Sequence, residues 1–188
     1  EDSSDGKTGA VNVTTAEGYT VYSLIANYEP GCSITINGGT YTYNFASNFG
    51  AIVHATGYST ITVNEGNFSN NIATSHGGVF MVGGSNLVIK GGTFNDNTAD
   101  KAGVAYMNSS SATATTPIRR FEVTGGTFDG NYANSYYGVF RISDGTHLGV
   151  NVTIKNVSFS NNFAVSGTAS VQIQSAKKVI VDNAKFIK

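Results

Sequence analysis

Residues 86–99 read NLVIKGGTFNDNTA, and this stretch contains the features that decide the fold. Leu87 and Ile89 are two residues apart, which is the spacing of side chains on one face of a β-strand. A Gly-Gly pair follows this strand, and Phe94 comes two residues after the pair. Counted from Phe94 as position 0, apolar residues stand at −7 and −5, asparagine at +3 and alanine at +5. This register predicts a strand with one inward face, followed by a turn.

The part of this register from the strand to the aromatic residue occurs six times along the chain, in segments that align without gaps, and the asparagine and alanine follow it in the first five. Successive aromatic residues are 27, 26, 34, 31 and 27 residues apart, a length typical of one coil of a solenoid. The sequence therefore predicts an all-β fold, a right-handed, single-stranded parallel β-helix (β-solenoid) of about six coils. The segments are SITINGGTY (33–41), TITVNEGNF (60–68), NLVIKGGTF (86–94), RFEVTGGTF (120–128), NVTIKNVSF (151–159) and KVIVDNAKF (178–186). The aromatic column is Tyr41, Phe68, Phe94, Phe128, Phe159 and Phe186, and the asparagine column is Asn44, Asn71, Asn97, Asn131 and Asn162.

Each coil is predicted to carry a further strand after these columns, and no segment has the period of a helix. Residues 1–32 lack the register and are predicted to form an irregular N-terminal cap or arm, whereas residues 33–188 form the parallel β-helix. The further strands are expected at GAIV (50–53), GGVFMV (77–82), AGVAYM (102–107), YGVFRI (137–142) and TASVQI (168–173).

The stacking of equivalent residues explains the residue types in these columns. Neighbouring coils lie about 4.8 Å apart, so phenylalanine rings can stack on one another in the core. Asparagine amides can donate and accept along a ladder of identical side chains. Alanine suits a crowded inner corner. The glycine pair after the first strand suits a sharp corner, because glycine accepts positive φ. We therefore expect the aromatic and asparagine columns to form a structural ladder.

Composition favours an extracellular or cell-surface protein. Only 12% of the 188 residues are charged and the formal net charge is −1, so nucleic acid is not an expected partner. No run of about 18 apolar residues occurs, so no membrane span is expected. The hydrophobic content of 40%, with 10 Tyr and 11 Phe, predicts a packed core beneath a surface of small polar residues. The single Cys32 cannot form an internal disulfide.

The paired signatures in the coils resemble the repeats of chlamydial polymorphic outer-membrane proteins. The resemblance covers about residues 33–188 and implies a parallel β-helix that acts as a surface adhesin. The matching segments are FSNN (68–71) with GGVF (77–80), FNDN (94–97) with AGVA (102–105), FDGN (128–131) with YGVF (137–140), FSNN (159–162), and YTYN (41–44) with FGAI (49–52).

Enzymatic activity is not expected, although parallel β-helices also resemble pectate lyases and polygalacturonases. Such enzymes need clustered carboxylates for calcium or for acid–base chemistry. The carboxylates of Asp96, Asp100 and Asp129 stand at different offsets from their aromatic residues, so no acidic column forms. His54 and His76 occupy different coil positions as well, and His76 stands in Ser-His-Gly-Gly. We expect no catalytic residue, metal or cofactor, and a polysaccharide lyase or hydrolase remains an alternative function.

Ice binding is a second alternative, since it needs a column of outward threonines on a flat face. Position −1 gives a partial column, which asparagine and lysine interrupt. Its members are Thr40, Asn67, Thr93, Thr127, Ser158 and Lys185.

Two sets of residues are candidate modification or binding sites. Five asparagines stand in Asn-x-Ser/Thr motifs and are candidates for glycosylation in a secreted chain. The two longest coils carry their extra residues in the adjacent segments 108–120 and 143–150, which predicts a projecting shelf that could bind a cell-surface or glycan ligand. The candidate glycosylation sites are Asn12, Asn67, Asn108, Asn151 and Asn156, and the shelf residues are Arg119, Arg120, Arg141 and His147.

The sixth signature is followed by only two residues, so the sequence predicts an open sheet edge after Phe186. We expect self-association through the ends of the solenoid, with residues 1–30 of one subunit near the C-terminal edge of another. The sequence thus favours an extracellular structural or adhesive module that stacks head-to-tail into a surface filament.

Overall fold

The computed structural model describes residues 24–27, 31–109, 118–144 and 149–188. These residues form a parallel β-solenoid with five complete turns, the start of a sixth and no helix, which confirms the fold class predicted from the sequence. Strand β1 (Ile25–Asn27) precedes the first turn. The first turn contains β2 (Ser33–Ile36), β3 (Thr40–Thr42), β4 (Phe45–Ala46) and β5 (Val53–Ala55), and the second contains β6 (Thr60–Val63), β7 (Asn67–Ser69), β8 (Ile72–His76) and β9 (Phe80–Gly83).

The remaining turns repeat this order. The third contains β10 (Asn86–Ile89), β11 (Thr93–Asn95), β12 (Thr98–Lys101) and β13 (Ala105–Ser109), and the fourth contains β14 (Arg119–Val123), β15 (Thr127–Asp129), β16 (Tyr132–Tyr136) and β17 (Phe140–Asp144). The fifth contains β18 (Val150–Ser160), β19 (Phe163–Ser166) and β20 (Val171–Gln174), and β21 (Ala176–Ile187) begins the sixth.

Three sheets run along the solenoid, and strands within each pair in parallel. Sheet A joins six strands in the order β1-β5-β9-β13-β17-β20, and sheet C joins five in the order β19-β16-β12-β8-β4. Sheet B is the widest, because each of the first four turns contributes two strands to it and β18 spans both halves. Because β1 pairs with β5, the stacking reaches back to Ile25. The predicted cap is largely outside the described residues, since residues 1–23 and 28–30 are not among them.

The core is built from the inward columns of sheets A and B. The apolar residues at −7 and −5 are buried in the second to fifth turns. The six rings at position 0 form one continuous stack, with centroids 4.9, 4.7, 4.8, 5.1 and 4.9 Å apart along the series from Tyr41 to Phe186. The alanines at +5 lie apart from this core, where Ala46, Ala73 and Ala99 form a small buried cluster with Ala51.

The glycine pair does not form a corner, contrary to the sequence interpretation. The strands before and after it lie in the same sheet B, and β18 runs through the equivalent position without a break. Gly92 has a φ of 103° and Asn156 a φ of 53°, so a local kink in an extended chain is what requires positive φ here. The corner between sheets B and C lies four residues after Gly92, at Asp96, which has a φ of 54°.

The corner between sheets C and A brings the coils unusually close together. A Cβ atom added to Gly103 would lie 2.7 Å from the carbonyl oxygen of Asn97 and 2.8 Å from that of Gly138. Gly78 and Gly138 occupy the same position in the neighbouring turns, and added Cβ atoms there would also collide with backbone. In the second to fourth turns the neighbouring backbone therefore leaves no room for a side chain, whereas alanine stands at the equivalent position of the first and fifth turns, as Ala51 and Ala169.

Candidate binding surface

The outer face of sheet A carries a column of side chains along the solenoid axis, to which each of the five turns contributes one residue. Val53 and Ala55 are buried, and His54 between them points outward and is half-buried. Parallel pairing places one equivalent residue of each turn beside the next. This outward column consists of His54, Met81, Tyr106, Arg141 and Gln172.

A second set of rings reaches the same face from the corner between sheets C and A. Phe49 precedes the corner in the first turn, and His76 precedes it in the second. The ring of Phe49 lies 5.4 Å from that of His54 and 5.5 Å from that of His76. His76 in turn meets Tyr106 edge to face at 4.3 Å. We call Phe49, His54, His76, Tyr106, Tyr137 and Arg141 together the aromatic corner.

Arg141 fixes the far end of this set of rings. Its side chain is 7% exposed, and its guanidinium lies 5.0 Å from the centroid of the Tyr137 ring. Its Nη1 donates to the carbonyl oxygen of Ile142 at 3.1 Å, and its Nη2 donates to Oε1 of Gln174 at 2.5 Å. A planar guanidinium that stacks on a ring and donates to two oxygens is held in one orientation. Arg141 therefore places a fixed positive charge beside the rings.

The histidines of the aromatic corner favour the neutral state. Burial lowers the pKa of His54 below its ordinary value. Burial also lowers the pKa of His76, the charge of Lys101 lowers it further, and Asp100 partly opposes both effects. Ser75 Oγ lies 2.5 Å from Nδ1 of His76, within hydrogen-bond distance. At neutral pH both side chains are thus uncharged rings with polar edges.

Tyr106 lies between His76 and Arg141 and is half-buried. Burial raises the pKa of its phenol, Arg141 lowers it and Tyr137 raises it. The phenol therefore stays protonated at neutral pH. Such a side chain offers an apolar ring face together with a hydroxyl that can donate or accept.

A cavity of about 410 Å³ lies at the opposite corner of sheet A, where the chain passes into sheet B. Arg119 is buried in its wall, and its guanidinium lies 5.5 Å from the centroid of the Tyr58 ring. Asn108 and Met81 also line the cavity, so Met81 connects it to the outward column of sheet A. The cavity thus adjoins the same outer face as the aromatic corner.

The three described arginines of the predicted shelf have different neighbours. Arg119 and Arg120 are consecutive in β14 and face opposite sides of the strand, so one is buried and the other exposed. Arg120 lies 3.6 Å from the carboxylate of Glu122, whereas Arg119 contacts Tyr58 and Arg141 contacts Tyr137. His147 and most of the two long segments lie outside the described residues.

Of the three carboxylates that could serve in catalysis, those of Asp100 and Asp129 accept hydrogen bonds from the next turn. Asp129 Oδ1 accepts from Ser160 Oγ at 2.6 Å and from Asn161 Nδ2 at 2.8 Å. Asp100 accepts from Ser135 of the next turn, and Asp96 lies over Gly130. Within the described part of the chain, no group of three or more His, Cys, Asp or Glu side chains is placed to hold a metal ion.

The candidate glycosylation sites divide by exposure. Asn67, Asn151 and Asn156 are exposed on the outer face of sheet B, whereas Asn108 is half-buried beside the cavity. Asn67 accepts a hydrogen bond from Thr93 at 3.3 Å, within the outward column that was considered for ice binding. Asn12 lies outside the described residues, and glycosylation stays a prediction at all five sites.

Sequence reasoning missed the aromatic corner because it counted positions from the core aromatic. His54 and His76 have different offsets in that register, yet both lie against Phe49. Alignment on the corner residue is the signal that finds them. The corner residue is the one with positive φ, which is Gly50, Gly77 or Ala102 in the first three turns. Phe49 and His76 each precede it by one position, and His54 and Tyr106 each follow it by four.

No family model matches this chain, and neither the curated proteins nor the solved structures searched contain a match to it. In the part of the chain described by the structure, no helix has the length and hydropathy required to cross a membrane.

Proposed function

We propose that this chain is an extracellular structural or adhesive module of the cell surface, whose solenoid is extended by head-to-tail stacking of a second copy. The observation that carries the proposal is that the inward columns of β21 continue those of the buried turns, so β21 can pair with a further turn in the same way. Val179, Val181 and Phe186 occupy the inward columns, yet they are 48%, 53% and 55% exposed. The residues at the same positions of β10 and β11 are fully buried. An edge of this length with apolar inward side chains is a template for further parallel pairing.

A second copy fits this edge because every interface between turns uses the same chemistry. β18 and β21 pair over almost their whole length, with Val152 beside Val179, Ile154 beside Val181 and Phe159 beside Phe186. The first turn carries apolar residues of the same type at −7, −5 and 0, and two of these, Ile36 and Tyr41, are already buried. Stacking of a second copy would bury the inward side chains of β21 through these same columns.

The surface supports an adhesive role of the module. In the first three turns, the outward columns of sheet B are rich in Thr, Ser and Asn and carry few charges, as suits a surface in contact with a wet extracellular matrix. The Phe-x-x-Asn and Gly-Gly signatures resemble those of chlamydial surface adhesins. These features support an extracellular location and a role in contact rather than in chemistry.

Electron microscopy and multi-angle light scattering of the purified protein test the proposal. We expect fibres or concentration-dependent oligomers from the wild type and a monomer from the V181K/F186K variant, which places charges in the inward columns. The matched control is Ile180→Lys, because Ile180 lies between Val179 and Val181 but faces outward. A wild type that stays strictly monomeric at high concentration refutes stacking. Release of reducing or unsaturated sugars from a polysaccharide panel would instead favour an enzyme, and thermal hysteresis would favour ice binding.

A further inference from the structure

The aromatic corner is a strip of rings that runs along the solenoid axis. We propose that it binds a linear glycan chain laid parallel to that axis, an inference that rests on the proposed adhesive function and supplies its ligand class. The strip draws Phe49 and His54 from the first turn, His76 from the second, Tyr106 from the third and Tyr137 from the fourth. Turns lie about 4.8 Å apart, so the strip is several times longer than a single sugar ring. An elongated ligand matches this shape better than a compact one does.

The chemistry of the strip alternates between apolar and polar groups. Both histidines favour the neutral form, so the faces of four consecutive side chains, from Phe49 to Tyr106, carry no charge. Sugar rings present C–H groups on their faces and hydroxyls around their rims. Aromatic faces can pack against the C–H groups, and phenol, imidazole and amide edges can form hydrogen bonds with the hydroxyls. Amide groups are present next to the rings, since Gln172 pairs with Arg141 in sheet A.

An extended peptide does not fit the strip. Strands β5, β9, β13 and β17 each pair on both sides with neighbouring turns, so their backbone groups are already used. A peptide could not add a strand here, and the strip must recognise its ligand through side chains alone. A glycan is recognised in this way, through ring packing and hydrogen bonds to hydroxyls.

The charges beside the strip distinguish an acidic glycan from a neutral one. Lys101 stands in register with His76 on one side and Tyr136 on the other, and Arg141 follows in the next turn. Asp100, the nearby carboxylate, accepts a hydrogen bond from Ser135. The half-buried Lys101 can contact a carboxylate directly, and the buried charge of Arg141 adds a positive potential beside the neutral rings, so the strip favours a glycan with carboxylate groups.

Isothermal titration calorimetry with defined hexasaccharides tests the proposal. The probes are a β-1,4-glucan, a β-1,4-linked N-acetylglucosamine oligomer and an α-1,4-galacturonan, so that neutral and acidic sugars are compared. We expect saturable binding of the galacturonan that weakens with added salt, and weaker binding of the neutral oligomers. Tyr106→Ala and His76→Ala should each weaken binding by about tenfold, the loss expected when one packed ring is removed. Tyr106→Phe should keep most of the affinity, because it keeps the ring.

Tyr132→Ala is the matched control, because Tyr132 is a half-buried ring on sheet C that stacks on Phe163 at 5.5 Å. Its glycan affinity should stay within about twofold of the wild type, as expected for a surface substitution away from the site. The proposal is overturned if no probe binds the wild type or if Y106A binds as tightly as Y132A. Light scattering on the same samples separates the two proposals, since a protein that assembles but binds no glycan refutes this site alone.

Discussion

Oδ1 of Asn131 accepts two hydrogen bonds from Asn97, one from its backbone nitrogen at 3.1 Å and one from its Nδ2 at 2.9 Å. Nδ2 of Asn97 also donates to the carbonyl oxygen of Phe68 at 2.9 Å. Oδ1 of Asn97 accepts the same pair of bonds from Asn71. Every polar atom of this buried amide thus has a partner, and the arrangement repeats from Asn44 to Asn162. Each turn satisfies the polar groups of its neighbour.

Asn97→Ala should lower the free energy of unfolding by about 3 kcal/mol, because it leaves buried donors of Asn71 and an acceptor of Phe68 without partners. Reversible urea unfolding followed by circular dichroism measures the loss. Asn64→Ala is the control, since Asn64 forms an exposed amide pair with Asn37 at 2.7 Å. It should change stability by no more than about 0.5 kcal/mol. Equal losses for the two variants would show that burial of the ladder contributes nothing.

Phe94→Ala should cost about 3–5 kcal/mol, because it opens a cavity in the middle of the ring stack. Phe94 is fully buried and lies 4.7 Å from Phe68 and 4.8 Å from Phe128, with nearly parallel rings. Phe163→Ala is the control, since that ring is 53% exposed on sheet C. Chemical denaturation of both variants measures the difference. If the two substitutions cost the same, the ring column does not carry the stability assigned to it.

Most of the fold could be predicted from the sequence because the solenoid repeats one residue type per column. Stacking places Phe94 beside Phe68 and Asn97 beside Asn71 whatever the shape of the coil, so spacing alone identifies those columns. The shape of the coil is less accessible. The pair Gly91-Gly92 suggests a corner, because glycine accepts positive φ, but the φ of 103° at Gly92 forms a kink within sheet B instead. Local sequence does not separate the two, because only pairing with neighbouring turns defines the sheets.

The candidate site was harder to predict for a related reason. His54 and His76 are 22 residues apart and belong to different strands, and their proximity depends on how sharply the chain bends between sheets C and A. For two arginines the sequence instead suggests a proximity that the structure does not show. Arg119 and Arg120 are adjacent in sequence, but alternation along β14 sends their side chains to opposite sides of the sheet.

Gly103→Ala tests the close approach of turns at the corner between sheets C and A. The added methyl group would lie 2.7 and 2.8 Å from two backbone oxygens, which cannot move without disturbing the pairing of turns. We expect a loss of about 1–3 kcal/mol, the usual cost of overpacking. In contrast, Gly38→Ala should leave stability unchanged or slightly higher, because no atom lies within 4 Å of the new methyl group. Thermal melting of both variants decides the matter, and a neutral Gly103→Ala would contradict the packing described.

The histidines of the aromatic corner should make stability depend on pH. Burial lowers the pKa of His54 and of His76 in the folded state below the ordinary value of 6.5. As pH falls through about 6.5, the unfolded chain therefore binds protons before the folded chain does, and the free energy of unfolding decreases. Above that range both states are neutral, and these groups contribute no pH dependence.

The double variant H54Q/H76Q isolates this effect, because glutamine keeps a polar edge but does not titrate. Urea unfolding between about pH 8 and pH 5.5 should show a shallower loss of stability in the variant than in the wild type. Below the pKa values of the folded state, the difference in unfolding free energy between the two proteins should stop changing with pH and stay constant. If the unfolding free energies of the two proteins change in parallel across the whole pH range, the two histidine rings are as hydrated in the folded protein as in the unfolded chain. That result would contradict the partial burial of His54 and His76.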